Sequence, residues 1–331
     1  MSLRFQIVRT WALLFPCVWS SAIPALTQRR PEAPEELPVL EAGHAGLQLE
    51  LNSEQRAQVE AALAKKDYKS AEAVLVEEAD KELKSVRAAG LLEFAGGIFF
   101  LDREYLDSAI AFKKAEAITP LSERSRFTLA MAYIELGRPQ WARPELERLY
   151  ASKSGNALYL YWLARLDYDG RRYTDALSKL KKVTELDPAM ARAYDLLGLC
   201  YDYLGDLDKA IASFERAVTL NRAQARPSPW PQLDMAISQV EIGRLKDAEN
   251  NLRQAVKYDP RLPRAHYELG RVLDLEGKTD DAIPELKAAS AVDPDYPEPH
   301  YLLGRIYHRL GKYELAKSEV QQFQQLRTKK H

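Results

Sequence analysis

The chain has 331 residues, of which 46% are hydrophobic and 29% charged, the balance of an ordinary folded protein. Lys and Arg (47) nearly cancel Asp and Glu (48), so no global field draws the chain to nucleic acid or to anionic lipid. Two cysteines, Cys17 and Cys200, furnish no disulfide framework, and Cys200 is expected to be a small buried hydrophobe in a packed helix.

Residues 1–27 have the layout of a secretory signal. Arg4 and Arg9 give a positive start, Trp11 to Ile23 is an uncharged apolar run, and Ser20, Ser21 and Ala22 supply the small residues that a signal peptidase reads. The run is shorter than the ~20 residues of a membrane span. The expectation is a cleaved signal, with an uncleaved N-terminal anchor as the alternative. A lipoprotein signal through Cys17 is disfavoured by bulky Phe15 and ring-locked Pro16. No second hydrophobic segment follows, so no membrane span is expected in the mature chain. The implied location is the periplasm or cell envelope, or the membrane surface if the anchor is retained.

Residues 28–51 are rich in Pro and Glu (Pro31, Pro34 and Pro38 among them), have no apolar periodicity and form an expected tether. Residues 52–88 are helical in pattern, with Tyr68, Ala71 and Leu75 in the places of a degenerate repeat. From Ala89 a 34-residue unit recurs, starting at Ala89, Glu123, Ala157, Ala191, Pro229, Pro263 and Pro297. The one longer step comes from an insertion at 223–228, which Pro227, Pro229 and Pro231 are expected to stiffen. Units 1–4 thus fill 89–222 and units 5–7 fill 229–328.

Position 8 of each unit is Gly96, Ala130, Ala164, Gly198, Ala236, Gly270 and Gly304, and position 20 is Ser108, Ala142, Ala176, Ala210, Ala248, Ala282 and Ala316. All are small, as a close crossing of two helices demands. Position 24 is a large apolar knob, such as Phe112, Phe214 or Leu286, expected to fill the space between units. Pro120, Pro188, Pro260 and Pro294 break the chain at position 32. Asp187, Asp259 and Asp293 precede three of them and are expected to help cap the following helix. Asp167 departs from the pattern and suggests that the first helix of the third unit is rotated or shifted by one residue. The last helix, Tyr313 to Arg327, is expected to turn Tyr313, Ala316, Val320 and Phe323 inward and to end the array with a polar face.

These small, large and breaker positions, in one register over about residues 52–328, resemble the tetratricopeptide repeat family. A period in this range marks a solenoid. The resemblance implies an all-α fold, a right-handed α-solenoid of helix–turn–helix repeats, seven clear and one degenerate at the N-terminus. It also implies that ligands lie in a concave groove lined by positions 2, 5, 9, 12 and 13 of each first helix.

In three units positions 5 and 9 are a tyrosine and an arginine: Tyr161/Arg165, Tyr267/Arg271 and Tyr301/Arg305. At this spacing each pair shares a helix face, and Tyr and Arg are the types enriched at binding hot spots. Against binding stands plain surface packing, with Tyr covering the Arg stem. Asp195, Tyr203 and Trp230 complete the candidate groove; Asp195, Asp202 and Asp274 put negative charge there, which disfavours an exclusively acidic ligand. Trp230 is either an exposed anchor or a plug for the insertion.

Chemistry beyond binding has little support. His266 and His300 both fall at position 4, a structural slot, and no metal-ligand spacing, phosphate loop or nucleophile motif is present. No cofactor and no catalysis are expected. The leading expectation is a non-catalytic scaffold binding a protein or extended peptide in envelope assembly or secretion. The alternatives are a glycan-binding or polysaccharide-export accessory, and an enzyme or regulatory subunit whose catalytic part was lost or lies on another chain.

Overall fold

The computed structural model of the protein describes residues 51–82 and 84–329. The expected signal segment, the tether up to residue 50, Cys17, His44 and His331 lie outside the described residues. Sixteen helices and no strand fill the described part, in two compact units divided after Arg138. No helix among the described residues is long and apolar enough to cross a membrane.

The first unit holds α1 (Ser53–Ala64), α2 (Tyr68–Asp80), α3 (Val86–Leu101), α4 (Tyr105–Glu116) and α5 (Glu123–Glu135). The second holds α6 (Pro139–Ser152), α7 (Ala157–Asp169), α8 (Tyr173–Leu186), α9 (Ala191–Tyr203), α10 (Leu207–Arg222) and α11 (Trp230–Glu241). It continues through α12 (Leu245–Tyr258), α13 (Pro263–Leu275), α14 (Thr279–Val292), α15 (Glu298–Arg309) and α16 (Tyr313–Lys329).

Local chemistry sets the helix ends. Asn52 caps α1 in a reciprocal box, accepting from the Gln55 N–H at 2.9 Å while its own N–H donates to Gln55 Oε1 at 3.2 Å. Ser85, Ser122, Asn156 and Asp206 cap α3, α5, α7 and α10. Between paired helices one residue turns left-handed: Gly137, Gly205, Gly243, Gly277 and Gly311, but also Lys66, Arg103 and Arg171 at φ of 58°, 63° and 58°. Glycine takes that conformation without strain and the three cations do not.

The aspartates before the breaker prolines act differently from expectation. Asp187, Asp259 and Asp293 accept from the N–H two residues on, at 3.0, 2.8 and 3.0 Å. Each therefore closes an Asx turn over the proline, while Met190 and Leu262 at the next helix starts make no side-chain cap.

The packing follows the register. Ala164, Ala176, Ala210, Ala236, Ala248 and Ala282 are completely buried. The position-24 knob proves to sit on position 8 of its own unit. A Cβ at Gly198 would stand 2.6 Å from the Phe214 ring, and one at Gly270 would stand 2.7 Å from Leu286 Cγ. Where serine replaces alanine, Ser108 Oγ donates to the Gly96 carbonyl at 2.7 Å and so remains satisfied while buried.

The third repeat is not shifted. Asp167 is 1% exposed and gathers Arg143 at 2.8 Å, Arg172 at 2.7 Å and Lys179 at 2.6 Å. Burial alone would raise its carboxyl, but hydrogen bonds from Lys179 and Arg172 and the charge of Arg143 hold it below the usual carboxylate range. An ion-pair hub, rather than a change of register, explains the polar residue. In the insertion, Asn221 clamps the loop reciprocally: Nδ2 donates to the Ser228 carbonyl at 2.7 Å and Oδ1 accepts the Ser228 N–H at 2.8 Å. Cys200 is fully buried, and burial pushes its thiol up to about 12.

The last helix corrects a further expectation. Tyr313 is 64% exposed and Val320 38%, while only Ala316 and Leu326 of α16 are buried. No helix beyond α16 covers them among the described residues. Position 27, a buried alanine at Ala115, Ala217, Ala255 and Ala289, is here Phe323, whose ring folds onto Tyr301 at 5.2 Å. The end is therefore aromatic as well as polar.

Candidate ligand-binding groove

All nine candidate residues lie on the first helices of the second unit, α7, α9, α11, α13 and α15. They do not form one uniform stripe. In α7 the pair is consumed by the fold. Tyr161 and Arg165 are 7% and 6% exposed, Arg165 Nε donates to both Asp169 oxygens at 3.0 and 3.1 Å, and the Arg192 guanidinium covers the Tyr161 ring at 4.9 Å. Asp195 is completely buried as well. Ligand contact at these three positions requires rearrangement, because all three side chains are buried.

In α13 the pair is half-buried. Tyr267 meets the edge of Tyr296 at 5.5 Å, and Arg271 Nε donates to Glu268 at 2.7 Å. Burial raises the Tyr267 hydroxyl above its ordinary value, so it stays a neutral donor. In α15 the pair is exposed, with Arg305 6.0 Å from the Tyr301 ring centre and the Phe323 ring 5.2 Å from the same tyrosine. Trp230 is half-buried and packs against the core of the last three repeats, which supports the plug.

A second set of positions, read along the row, emerges only in three dimensions. Position 12 of one repeat, position 17 of the same repeat and position 13 of the next converge at the α7–α9 and α13–α15 junctions. Between α7 and α9 the set is Tyr168, Tyr173 and Tyr203: Tyr173 meets Tyr168 edge-on at 5.5 Å and stacks on Tyr203 at 3.9 Å. Between α13 and α15 it is Asp274, Thr279 and Arg309, whose guanidinium binds the Asp274 carboxylate and donates to Thr279 Oγ1 at 3.2 Å.

Between α9 and α11 the equivalent places hold Asp202 and Glu241, two acids. Ser238 Oγ donates to Asp202 at 2.7 Å. Burial raises the Asp202 carboxyl, and burial together with the Asp202 charge raises that of Glu241, with Arg271 opposing. Sequence reading noticed Asp202 and missed Tyr168, Tyr173 and Glu241. The signal was present as positions 12, 17 and 13 of a fixed register, but only packing shows that these three meet.

A row of helix pairs, small residues at each crossing and one-sided presentation of varied polar groups define an α-helical repeat protein. Models of the tetratricopeptide repeat match residues 127–177, 191–224, 233–280 and 297–329, and a further TPR repeat model matches 275–311. The chain belongs to the tetratricopeptide repeat family, and its fold is an all-α TPR solenoid. It is 29% identical over 143 residues to the type IV pilus assembly protein PilF of Pseudomonas aeruginosa, which covers 42% of this chain and 55% of that protein. It is also 31% identical over 86 residues to anaphase-promoting complex subunit 3 of Dictyostelium discoideum, across 25% of this chain and 9% of that protein. The match thus spans about half the length of the first relative.

Among solved structures, the type IV pilus biogenesis factor PilW superposes with a TM-score of 0.55 at 21% identity, covering 61% of this chain and 92% of that one. Pseudomonas aeruginosa PilF superposes with 0.54 at 22% identity, covering 64% and 94%. The Cut9–Hcn1 complex of the APC/C gives 0.60 at 13% identity, covering 80% and 57%. At these identities the likeness is one of fold.

Proposed function

We propose that this protein is a non-catalytic adaptor that holds an extended segment of a partner protein along the first-helix face of α9 to α15, in the cell envelope. The observation that carries the reading is the row of junctions: one backbone register presents tyrosines, then two carboxylates, then the apolar set Val240, Leu245 and Leu275, then a carboxylate–arginine pair. Such a surface reads a side-chain sequence, and solenoid repeats supply it at regular intervals. The Asp202–Glu241 junction gives the partner a chemistry. Arg309 fills the equivalent place two junctions on, so a lysine or arginine of the partner suits the gap between the two acids. Tyr203 and Tyr267/Arg271 flank that position. The envelope setting is supported by the signal-like residues 1–27 and by similarity to pilus assembly factors.

The test is peptide display selection on the purified protein, beside a variant with Asp202→Asn and Glu241→Gln. The expected result is enrichment of peptides carrying Lys or Arg, with affinity for the variant at least about tenfold weaker, equal to ~1.4 kcal/mol. Equal enrichment on both proteins, or none on either, refutes the reading.

A further inference from the structure

Away from the groove, the first unit contains a buried carboxylate whose charge the fold leaves incompletely answered. Glu72 on α2 is 5% exposed, and its Oε1 is sealed from solvent without a hydrogen-bond partner. Its other oxygen stands 3.6 Å from Lys69 Nζ, beyond hydrogen-bond length. A desolvated carboxylate lacking hydrogen bonds is costly. Instead of surrounding it with donors, the chain places two more acids beside it. Asp102 closes α3 and Glu104 opens the way into α4, with left-handed Arg103 between them. Oxygen atoms of Glu72, Asp102 and Glu104 all lie within 4.8 Å of one another.

Among the described residues, the only cation paired with all three is Lys69, which binds Glu104 and stands 3.3 Å from Asp102, with a side chain 62% exposed. One ammonium thus faces three carboxyl groups. Lys69 approaches from the solvent side and can swing outward on its four-carbon stem, whereas Glu72 is fixed by burial.

We propose that Glu72, Asp102 and Glu104 form a calcium site, with Lys69 as the resident cation that calcium displaces. An all-oxygen donor set selects a hard divalent ion. Three carboxylates brought together by a helix and a turn suit the flexible coordination of calcium, with bonds of about 2.4 Å, better than the near-ideal octahedron at about 2.1 Å that magnesium demands. Three protein ligands leave the rest of the shell to water, so affinity belongs to the weak class, with a dissociation constant on the order of 1 mM. The bound ion would tie the start of α2 to the α3–α4 turn, pinning the first helix pair to the repeat that follows.

The experiment measures thermal unfolding and calorimetric titration of the full chain with CaCl2, MgCl2 and NaCl matched in ionic strength. At about 10 mM CaCl2 the wild-type midpoint should rise by roughly 2–4 °C, and MgCl2 should raise it less. Lys69→Met should tighten calcium binding several-fold by removing the competitor, a gain no purely structural salt bridge would show. Glu72→Gln should abolish the calcium response. Asp102→Asn, on the more exposed turn, keeps the test valid if the Glu72 variant misfolds, and should weaken binding. A wild type and a Lys69→Met variant both indifferent to calcium overturn the proposal, as does an undiminished response in both carboxylate variants.

Discussion

Four repeats carry glycine at position 8, and the structure assigns opposite outcomes to the same alanine substitution in two of them. A Cβ at Gly198 would lie 2.6 Å from two atoms of the Phe214 ring and 2.9 Å from a third, and that ring is fully buried. Nothing can yield without moving α10. A Cβ at Gly304 would lie 3.0 Å from Val320 Cγ2, a side chain 38% exposed that can give way. Alanine gains ~1 kcal/mol over glycine in a helix interior, while overpacking a closed core costs ~1–3 kcal/mol. Gly198→Ala should therefore destabilise by about 1–2 kcal/mol, and Gly304→Ala should stabilise by roughly 0.5 kcal/mol. Phe214→Leu should rescue Gly198→Ala, because it recreates the buried combination already present at Ala164 and Leu180. Repeat arrays unfold in pieces, so urea unfolding should be paired with amide exchange resolved to α9–α10 and α15–α16. Shifts of the same sign at both glycines, or strict additivity of the Gly198 and Phe214 changes, would refute the reasoning.

Three further outcomes follow from particular contacts. Arg171 holds a left-handed backbone at φ 58° where five other turns use glycine, so Arg171→Gly should stabilise by about 1 kcal/mol and raise the thermal midpoint by ~2–4 °C. His266 faces Glu285 at 2.7 Å and the Pro260 carbonyl at 3.0 Å, and the Glu285 bond, opposed by burial and helped by Pro260, raises its pKa. Its stabilisation is complete below the ordinary histidine value of about 6.5 and is lost as pH rises through the higher folded value. Exchange protection of α13–α14 should fall over that window in the wild type and stay flat in His266→Gln. Asp167→Asn leaves three cations without their shared carboxylate but free to reach solvent, so it should cost about 1–3 kcal/mol. It should also remove the wild-type loss of stability as pH falls through the depressed Asp167 value, followed by urea unfolding from pH 6 downward.

The register was legible because packing at a crossing forbids alternatives: small residues recur in phase with large ones, and a shift of one position would break every repeat together. Asp167 shows where that logic misleads. A polar residue at an apolar position looks like slippage in one dimension, yet Arg143, Arg172 and Lys179 come from three different stretches of chain to satisfy it. Burial at the candidate groove was illegible for the same reason. Tyr161 and Tyr301 occupy the same position with the same arginine partner, but Arg192 closes over one and solvent reaches the other.

What an isolated repeat shows is therefore the slot, and what its neighbours contribute is the chemistry left over for a ligand. At the α7–α9 junction three tyrosines consume one another's faces, and at α13–α15 an arginine neutralises its aspartate. At α9–α11, by contrast, two acids meet, and among the described residues Ser238 Oγ donates to Asp202 at 2.7 Å. The polar junctions at α7–α9 and α13–α15 are thus closed, while the one at α9–α11 is electrostatically unfinished. Conserved backbone geometry with unequal side-chain satisfaction locates the place where a partner's charge would contribute most.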